Sequence, residues 1–565
     1  MRTMVWALAG ALFFFPRLLR RCLFALRRPR ILKYVLAGDV VFQSPARRWF
    51  PPRRKVIALD ALDDEWIAVG ADPKVHAVIV VFEALHGGYV AATAIFERLK
   101  KLRETKRVVV YAPHLGNRDL VAATGATSIA LPPSGGVHLT GIGVEVTHVR
   151  GLLAHASVHV DVDAAGKYKG ALERFTRDDL SAPQREVLES ILDSWSGDFA
   201  ARIAEGRGRT RDDVAAWIAH GPYTAEAARQ AGLIDCVTYE DDLRDDPTGG
   251  GDSKKKAPPV VERARAGSPI PPRVWPRLPA SQAIAVVTMK GLIHMGASRS
   301  FPALTVGEKT VRAALKRARE NRRVRGVLLA IDSGGGSALA SDLIWDEVVR
   351  TRREKPVVAW MGNVAASGGY YAAAPANEIV ASPFTLTGSI GVISGRFILA
   401  DLFRRLGVTR TLVARGRFAE LDAVGQPLSD EARAVIQAQV ADCYERFLSR
   451  VAEGRKLPVD DVRKLAEGRV YAGRDAVTHH LVDHLGDFTF ALDRVRELAK
   501  APRGRPVSFD PAGSPFARGD RTSLHALIEI VWGAVSDPAL AEVIALANLC
   551  DGAPLALMPD RYALC

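Results

Sequence analysis

The sequence predicts two tandem α/β domains, and two observations lead to that prediction. The first is an internal repeat, in which residues 76–235 match residues 325–483 in a nearly constant register of 249 or 248 positions. The second is the alternation of short apolar runs with helical patterns, as in Ala77–Phe82 before Ala91–Leu102 and Val327–Ile331 before Ala340–Arg353. The apolar runs lack charges, which is typical of parallel strands that are covered on both faces.

The first thirty residues form a segment of their own. An apolar run, Met4–Phe15, is followed by Pro16 and a series of arginines. The run is shorter than the roughly 20 residues of a full membrane span, and the arginines resist translocation. We expect residues 1–30 to associate with the membrane, lying in or dipping into the bilayer, as a peripheral or N-terminal anchor. A misplaced start codon or a degraded leader is the alternative.

The remaining chain divides into four parts. Residues 31–244 are the first α/β repeat and residues 280–502 the second. Each contains a long amphipathic helical pattern, at 184–205 and at 431–453, which starts just after a serine and extends the core. Residues 245–279, rich in glycine, lysine and proline, read as a flexible linker. Residues 503–565 are a C-terminal extension with no counterpart in the first repeat, and 522–548 has a helix-like apolar pattern.

Charge and cysteine content narrow the class of protein. The formal net charge is +14, and residues 1–55 alone hold 13 Lys or Arg against one acid, Asp39, so that +12 lies there (13 − 1). A basic stripe beside an apolar segment suits anionic lipid, and the rest of the chain has no nucleic-acid motif. The five cysteines lack C-x-x-C spacing, which argues against a zinc site and a disulfide framework. We therefore expect lipid and not nucleic acid as a partner, and neither metal nor cofactor.

A possible nucleophile stands in the second repeat. Ser367 lies among very small residues in Asn363–Tyr370, and the glycine run Gly334–Gly336 follows the apolar run Val327–Ile331. Small residues allow a substrate backbone to approach, and glycine N–H groups can turn toward a bound oxygen. These are the materials of a serine nucleophile with an oxyanion hole, but no histidine lies near enough in the sequence to serve as its base.

The two repeats differ where that base is needed. In the register of 249, Ser367–Gly369 faces Arg118–Leu120, which has no serine. In the register of 248, Lys169 of the first repeat faces Arg417 of the second. Arginine stays protonated in proteins, whereas lysine becomes a base when burial lowers its pKa. A site split between the repeats, with the serine from one and the lysine from the other, is the simplest interpretation.

These residues resemble the long, two-repeat form of the signal peptide peptidase A (protease IV) family, whose fold is similar to that of the Clp protease and crotonase superfamily. The likeness covers about residues 31–500. Its motifs are Ala366–Tyr370, Pro375–Asn377 and Leu386–Gly391 in the second repeat, and Tyr168-Lys169 with Arg177–Asp179 in the first. The resemblance implies two tandem Clp protease/crotonase-like (ββα-spiral) domains with long helical extensions.

The resemblance also implies roles for five residues. Ser367 matches the family's nucleophile, Lys169 its general base, Ser389 the serine that hydrogen-bonds the lysine, and Gly335 and Gly368 its backbone oxyanion donors. The implied activity is that of a membrane-associated serine endopeptidase that degrades remnant signal peptides and other hydrophobic peptides through an acyl-enzyme. The family assembles as a membrane-anchored tetramer, so the resemblance also implies a homo-tetramer at the bacterial inner membrane for this chain.

Two departures from the family stand out. The family's glycine run usually begins Ser-Pro-Gly-Gly, where this chain has Ser333-Gly334-Gly335-Gly336. Its long transmembrane helix is replaced by the short arginine-flanked segment. Two other functions stay open from the sequence: a crotonase-like acyl-CoA enzyme, which uses paired N–H donors without a serine nucleophile, and a catalytically silent membrane scaffold.

Overall fold

The structure is a computed structural model of the 565-residue chain. It describes residues 28–43, 56–244, 259–262, 282–299, 304–423, 425–502, 507–509, 555–557 and 563–564. Most of the expected membrane-associating segment and the helix-like pattern at 522–548 lie outside these ranges. Within them, no helix combines the length and the apolar character that a membrane crossing requires.

The first half of the chain alternates strands and helices as the sequence predicts. Its strands are β1 (Arg30–Val41), β2 (Val56–Ala58), β3 (Val75–His86), β4 (Arg107–Tyr111), β5 (His114–Gly116), β6 (Ser128–Leu131), β7 (Gly136–His138), β8 (Val144–Glu145), β9 (His159–Ala165), β10 (Tyr223–Thr224), β11 (Cys236–Val237) and β12 (Val260–Glu262). Its helices are α1 (Leu59–Ala71), α2 (Tyr89–Arg103), α3 (Asn117–Ala123), α4 (Arg150–His155), α5 (Glu173–Thr176), α6 (Ala182–Arg207), α7 (Arg211–His220) and α8 (Ala225–Ala231).

The second half follows much of this order, with strands and a helix of its own. Its strands are β13 (Ala283–Lys290), β14 (Leu292–His294), β15 (Thr305–Gly307), β16 (Val324–Ser333), β17 (Gly335–Ser337), β18 (Val357–Ala366), β19 (Glu378–Ala381), β20 (Leu386–Gly388), β21 (Val392–Ile398), β22 (Val470–Ala472), β23 (His484–Leu485), β24 (Val507–Ser508), β25 (Leu555–Leu557) and β26 (Ala563–Leu564). Its helices are α9 (Glu308–Glu320), α10 (Ala338–Glu354), α11 (Gly368–Ala373), α12 (Ala400–Arg405), α13 (Asp430–Arg455), α14 (Val459–Leu465), α15 (Gly473–Thr478) and α16 (Phe488–Leu498).

The chain forms two compact units that do not follow the repeat boundaries. One contains residues 1–142 and 196–281, and the other contains residues 143–195 and 282–565. A segment of the first repeat, residues 143–195, therefore packs within the unit built mainly from the second repeat. The sequence expectation of one compact domain for each repeat differs from this arrangement, because the contacts of the segment are made with residues far away in the chain.

The first unit is built on a parallel sheet. Among the described residues its strand order is β11-β6-β4-β3-β1-β12, with β2 also paired to β1, and every pairing is parallel. The central strand β3 buries six successive residues, Ala77–Phe82, as its uncharged sequence predicts. The linker expected to be flexible over 245–279 contributes β12, whose Val260–Glu262 pairs with Ile31–Lys33. β-Branched residues at an open sheet edge explain that departure.

The second unit contains the equivalent sheet and a further one. The strand order β22-β20-β18-β16-β13-β24, with β19 paired to β18 and to β23, forms the larger sheet, and its core side chains are fully buried. The smaller sheet has the order β15-β14-β17-β25-β21-β9. In it, β9 of the first repeat pairs antiparallel with β21 of the second over seven residues, from Val392↔Ala165 to Ile398↔His159.

Each long helix begins after a serine, as the sequence predicts. The Ser429 hydroxyl accepts a hydrogen bond from the Ala432 N–H at the start of α13, and the Ser181 hydroxyl accepts one from the Gln184 N–H at the start of α6. Helix α13 buries one face that includes Ile436, Val440 and Phe447. The expected α/β class is confirmed, with two repeats and a long helical extension in each.

Candidate active site

Ser367 stands at the bend between β18 and α11. Its backbone has φ 52° and ψ −117°, a conformation that an L-residue adopts at a cost of order 1–3 kcal/mol and that persists only where the surroundings enforce it. The Ser367 N–H donates to the Gly388 carbonyl at 2.8 Å, and the Ser367 carbonyl accepts the Tyr371 N–H at 2.8 Å. These bonds fix a buried hydroxyl at the end of the strand.

The glycine loop and the bend approach each other closely. A Cβ added to Gly368 would lie 3.2 Å from the Gly335 Cα and 2.5 Å from the Ser341 hydroxyl oxygen, so no larger residue fits there. Gly335 has φ 110°, which favours glycine. Its N–H donates to the Ser333 hydroxyl at 3.2 Å. The structure thus brings Gly335 and Gly368 together beside Ser367, as their expected role as oxyanion donors requires.

Lys169 reaches the serine from the loop after β9. Its Nζ lies 2.8 Å from the Ser367 Oγ and 2.9 Å from both the Oγ and the carbonyl oxygen of Ser389. The residue is 5% exposed, and burial lowers the pKa of the amine well below its usual range. The three oxygens around Nζ belong to two hydroxyls and a carbonyl, so no carboxylate of the described part of the chain counteracts the effect of burial.

Ser389 is held as tightly as Ser367. It is 2% exposed and has φ 51°, a left-handed conformation that is uncommon for serine. The Ser389 N–H donates to the Arg469 carbonyl at 2.7 Å. This conformation presents both its carbonyl and its hydroxyl to Lys169. All five residues expected from the sequence are therefore in one place, within the second unit.

The bend of the first repeat carries asparagine at the position of Ser367. In the sheets, Gly116 pairs with His138 as Ala366 pairs with Gly388, so Asn117 is the structural counterpart of Ser367. The sequence register that placed Arg118 opposite Ser367 is wrong by one residue, because the second repeat has one more residue between the matched strand position, Val358, and its bend than the first has after Val109. Neither assignment gives the first repeat a nucleophile.

The counterpart of Lys169 also differs from the sequence expectation. Gly166 and Gly416 begin equivalent turns with φ 109° and 112°, and Lys167 stacks over Tyr168 as Arg417 stacks over Phe418. Arg417 is therefore the counterpart of Lys167, and the counterpart of Lys169 is Ala419. The register of 248 holds only after this turn, because the second repeat is two residues shorter between the turn and its long helix. The second repeat still supplies no base.

One element of the site escaped the sequence reasoning. Residues Glu467–Arg469 lie between Lys169 and Ser389, with backbone hydrogen bonds to both sides. The sequence held a signal for it. Just before the matched tyrosines Tyr223 and Tyr471, Glu467–Val470 faces the unlike residues 219–222 of the first repeat. A departure inside a well-matched stretch marks a place where the two copies do different things.

Comparison with known proteins gives the family. The profile of peptidase family S49 matches residues 100–247 and 350–502. Protease 4 of Salmonella typhi is 31% identical over 494 residues, which cover 83% of this chain and 77% of that protein. The chloroplastic serine protease SPPA of Arabidopsis thaliana is 29% identical over 496 residues, which cover 86% and 72%. A putative signal peptide peptidase SppA of Enterococcus faecium is 32% identical over 240 residues, which cover 42% and 70%.

The class and the family follow from these matches. The matches to a peptidase family and to relatives named as serine proteases define the class, a serine peptidase built from two α/β repeats. Because the family profile covers more than half of the chain, the protein belongs to peptidase family S49.

Proposed function

We propose that the protein is a membrane-associated endopeptidase with a Ser367–Lys169 dyad, which degrades remnant signal peptides and other hydrophobic peptides. The observation that carries this proposal is the distance of 2.8 Å between the Lys169 Nζ and the Ser367 Oγ, both of them buried. A base must lie within hydrogen-bond reach of the proton that it removes, and this amine does.

The surroundings of Lys169 suit a neutral amine. A neutral lysine has two N–H donors and one lone pair. The carbonyl and the hydroxyl oxygen of Ser389 accept the two donors, which leaves the lone pair for the Ser367 hydroxyl. Because burial lowers the pKa of the amine, this neutral form is populated at a lower pH than for an exposed lysine.

The proposed reaction proceeds through an acyl-enzyme. Lys169 removes the Ser367 proton as the hydroxyl oxygen attacks a peptide carbonyl. The N–H groups of Gly335 and Gly368 stabilise the resulting oxyanion, an effect worth about 3–4 kcal/mol for each donor. In the structure the Gly335 N–H donates to Ser333, so it must exchange that hydroxyl for the oxyanion. Protonated Lys169 then gives its proton to the amine leaving group, and water hydrolyses the ester.

The smaller sheet of the second unit supports an extended peptide as the substrate. The chain's own β25 lies between β17 and β21, and pairs antiparallel with Gly335–Ser337 on one side and with Ile393 on the other. A peptide that adds a strand to a sheet edge uses the same backbone hydrogen bonds. The relative from Enterococcus faecium is named a putative signal peptide peptidase, which supports a signal peptide as that strand.

Peptide hydrolysis tests the proposal directly. A synthetic hydrophobic signal peptide is incubated with the wild-type protein, with Ser367→Ala and with Lys169→Ala, and fragments are measured by mass spectrometry. We expect cleavage by the wild type only. Arg417→Ala is the matched control, since Arg417 is an exposed cation in the equivalent turn of the second repeat and should leave cleavage intact. Cleavage that survives Lys169→Ala would contradict the dyad.

Membrane association is part of the proposal and rests on the sequence of residues 1–30. Its apolar run and following arginines suit an anionic bilayer. Sedimentation with vesicles containing phosphatidylglycerol should remove the full chain from solution, and a chain lacking residues 1–27 should remain. Equal sedimentation of both would place the membrane contact elsewhere.

Assembly as a homo-tetramer is supported by an unpaired segment. Strand β9 of the first repeat pairs with β21, but its counterpart at 409–415 has no strand partner among the described residues and is exposed throughout, with Leu412 at 53% and Val413 at 82%. We propose that it docks on another copy of the chain. Light scattering should give four subunits for the wild type and fewer for Val413→Asp. A Val413→Asp variant that stays tetrameric would contradict this contact.

A further inference from the structure

Lys169 needs a firm support, because a lysine side chain has four flexible bonds and, among the described residues, no ion pair fixes this one. The hydrogen-bond partners of its side chain all lie in the second repeat, whereas its backbone belongs to the first. Three consecutive residues, Glu467–Arg469, connect the two sides. The Tyr168 N–H donates to the Glu467 carbonyl at 2.8 Å, and the Arg469 carbonyl accepts the Ser389 N–H at 2.7 Å.

Gly468 gives the lysine backbone its place. A Cβ added to Gly468 would lie 2.6–2.7 Å from the N, Cα and Cβ atoms of Lys169, and its φ is 79°. The Gly468 N–H donates to the Ile390 carbonyl at 2.8 Å, next to Ser389. This glycine is therefore the surface on which the lysine loop rests, and any side chain there pushes Lys169 away from Ser367.

Arg469 closes the loop from the outside. Its Nη1 donates to the Glu186 carboxylate at 2.6 Å and to the Tyr168 hydroxyl at 3.2 Å, and the Tyr168 hydroxyl in turn donates to Glu186 at 3.1 Å. The guanidinium carbon lies 5.0 Å from the centre of the Tyr168 ring. A planar cation suits this combination of stacking and hydrogen bonding, which lysine cannot reproduce.

A buried amide completes the arrangement. The Gln184 side chain is 6% exposed and donates its Nε2 hydrogen bond to the Tyr168 carbonyl at 2.8 Å. The residue before Lys169 is thus held at its N–H, its carbonyl, its hydroxyl and its ring. We propose that Arg469, Tyr168 and Glu186, together with Gly468, form a clamp of positioning residues that holds Lys169 against Ser367. None of them contacts the reacting atoms, and the inference rests on the proposed peptidase function.

The first experiment is a kinetic comparison of Arg469→Gln with the wild type on a signal peptide. We expect kcat to fall about 10- to 100-fold with KM nearly unchanged, since a displacement of about 1 Å in a reacting group has effects of that size. Arg469→Lys should restore only part of the loss. Arg463→Gln is the matched control, because Arg463 makes a two-bonded ion pair with Glu445 on the surface and should keep wild-type kcat.

The second readout is the pH profile of kcat/KM. A loosened loop admits water to Lys169, which raises the pKa of the amine toward its usual value, so the acid limb should move to higher pH in Arg469→Gln and Tyr168→Phe. The charged groups around this loop are Arg469, Glu186, Glu467 and Lys167, the last two 3.7 Å apart. The Lys167→Gln variant removes a positive charge at the same loop without loosening it. It is therefore the control for a change of local charge, and its acid limb should lie at the same pH as that of the wild type.

The outcomes separate the clamp from the peptidase function. A wild type that cleaves no peptide would contradict the proposed function. A cleaving wild type, together with an Arg469→Gln variant of equal kcat and equal acid limb, would contradict the clamp alone. If Arg469→Gln unfolds, Tyr168→Phe, which keeps the ring and loses only the hydroxyl, provides the same two readouts.

Discussion

The bends after β5 and β18 occupy the same place in the two repeats, but their side chains have different hydrogen-bond partners. In the first, the Asn117 side chain donates to the Gly141 carbonyl at 2.7 Å and accepts the Thr140 N–H at 3.1 Å, all within its own repeat. In the second, the Ser367 hydroxyl meets Lys169 from the other repeat. The same fold position therefore serves either to hydrogen-bond its own backbone or to place a hydroxyl beside a lysine of the other repeat.

The two turns after α4 and α12 differ in the complementary way. Both begin at a glycine with positive φ, and both place a cation over the following aromatic ring. The first then offers Lys169, and the second offers Ala419. A site of the proposed kind needs only one bend with a serine and one turn with a lysine. The other bend and the other turn can then have a purely structural role.

The largest effects should come from removing either half of the dyad. Ser367→Ala and Lys169→Ala should each lower kcat by about 10⁴-fold or more, because members of a catalytic unit fail together. The double variant should be no slower than either single one. If the two single-variant losses of kcat multiply in the double variant, the two groups act independently.

A smaller loss of activity should follow Ser389→Ala. Without its hydroxyl, Lys169 keeps only the Ser389 carbonyl as an acceptor, so its lone pair is less well directed toward Ser367. We expect kcat to fall about 10- to 100-fold, less than the roughly 10²- to 10⁴-fold that a general base contributes, because the base itself remains. Leu139 occupies the equivalent position in the first repeat and has no hydroxyl. Leu139→Ala is therefore the control for simple loss of packing. Unchanged kcat in Ser389→Ala would remove this serine from the mechanism.

Lys169→Met should stabilise the protein while inactivating it. Burial lowers the pKa of the lysine in the folded state, so the unfolded state binds more protons at neutral pH and folding is penalised there. The penalty grows as the pH falls below the unfolded pKa of about 10.4 and vanishes above it. The difference in Tm between Lys169→Met and the wild type should therefore be positive at pH 7 and shrink toward pH 10. A constant difference across this range would contradict a neutral buried lysine.

The smallest effect on catalysis should come from Asn117→Ala, the matched change at the first bend. It leaves the Thr140 N–H and the Gly141 carbonyl without their partner, which should lower the free energy of unfolding by about 1–3 kcal/mol. We expect kcat to remain that of the wild type. Chemical denaturation measures the free energy of unfolding, and a parallel activity assay measures kcat. A large loss of kcat would show that the first bend contributes to catalysis.

The pairing of Ser367 with Lys169 could be inferred from the sequence because each repeat holds only one of the two groups: the first lacks the serine and the second lacks the lysine. The exact equivalences could not, since one extra residue before the bend and two fewer residues after the turn shift the register without touching the motifs. The strand pairing of β9 with β21 and the support from Glu467–Arg469 also left little trace. Such contacts join residues hundreds of positions apart, and local patterns carry no record of them.

The pairing of β9 with β21 makes the second repeat depend on the first. A chain consisting of residues 280–502 alone would lose the strand beside β21 and the amine beside Ser367 in a single cut. The sheet edge and the proposed base therefore reach the second repeat through one short segment, and a truncation that removes this segment would remove structural support and chemistry together.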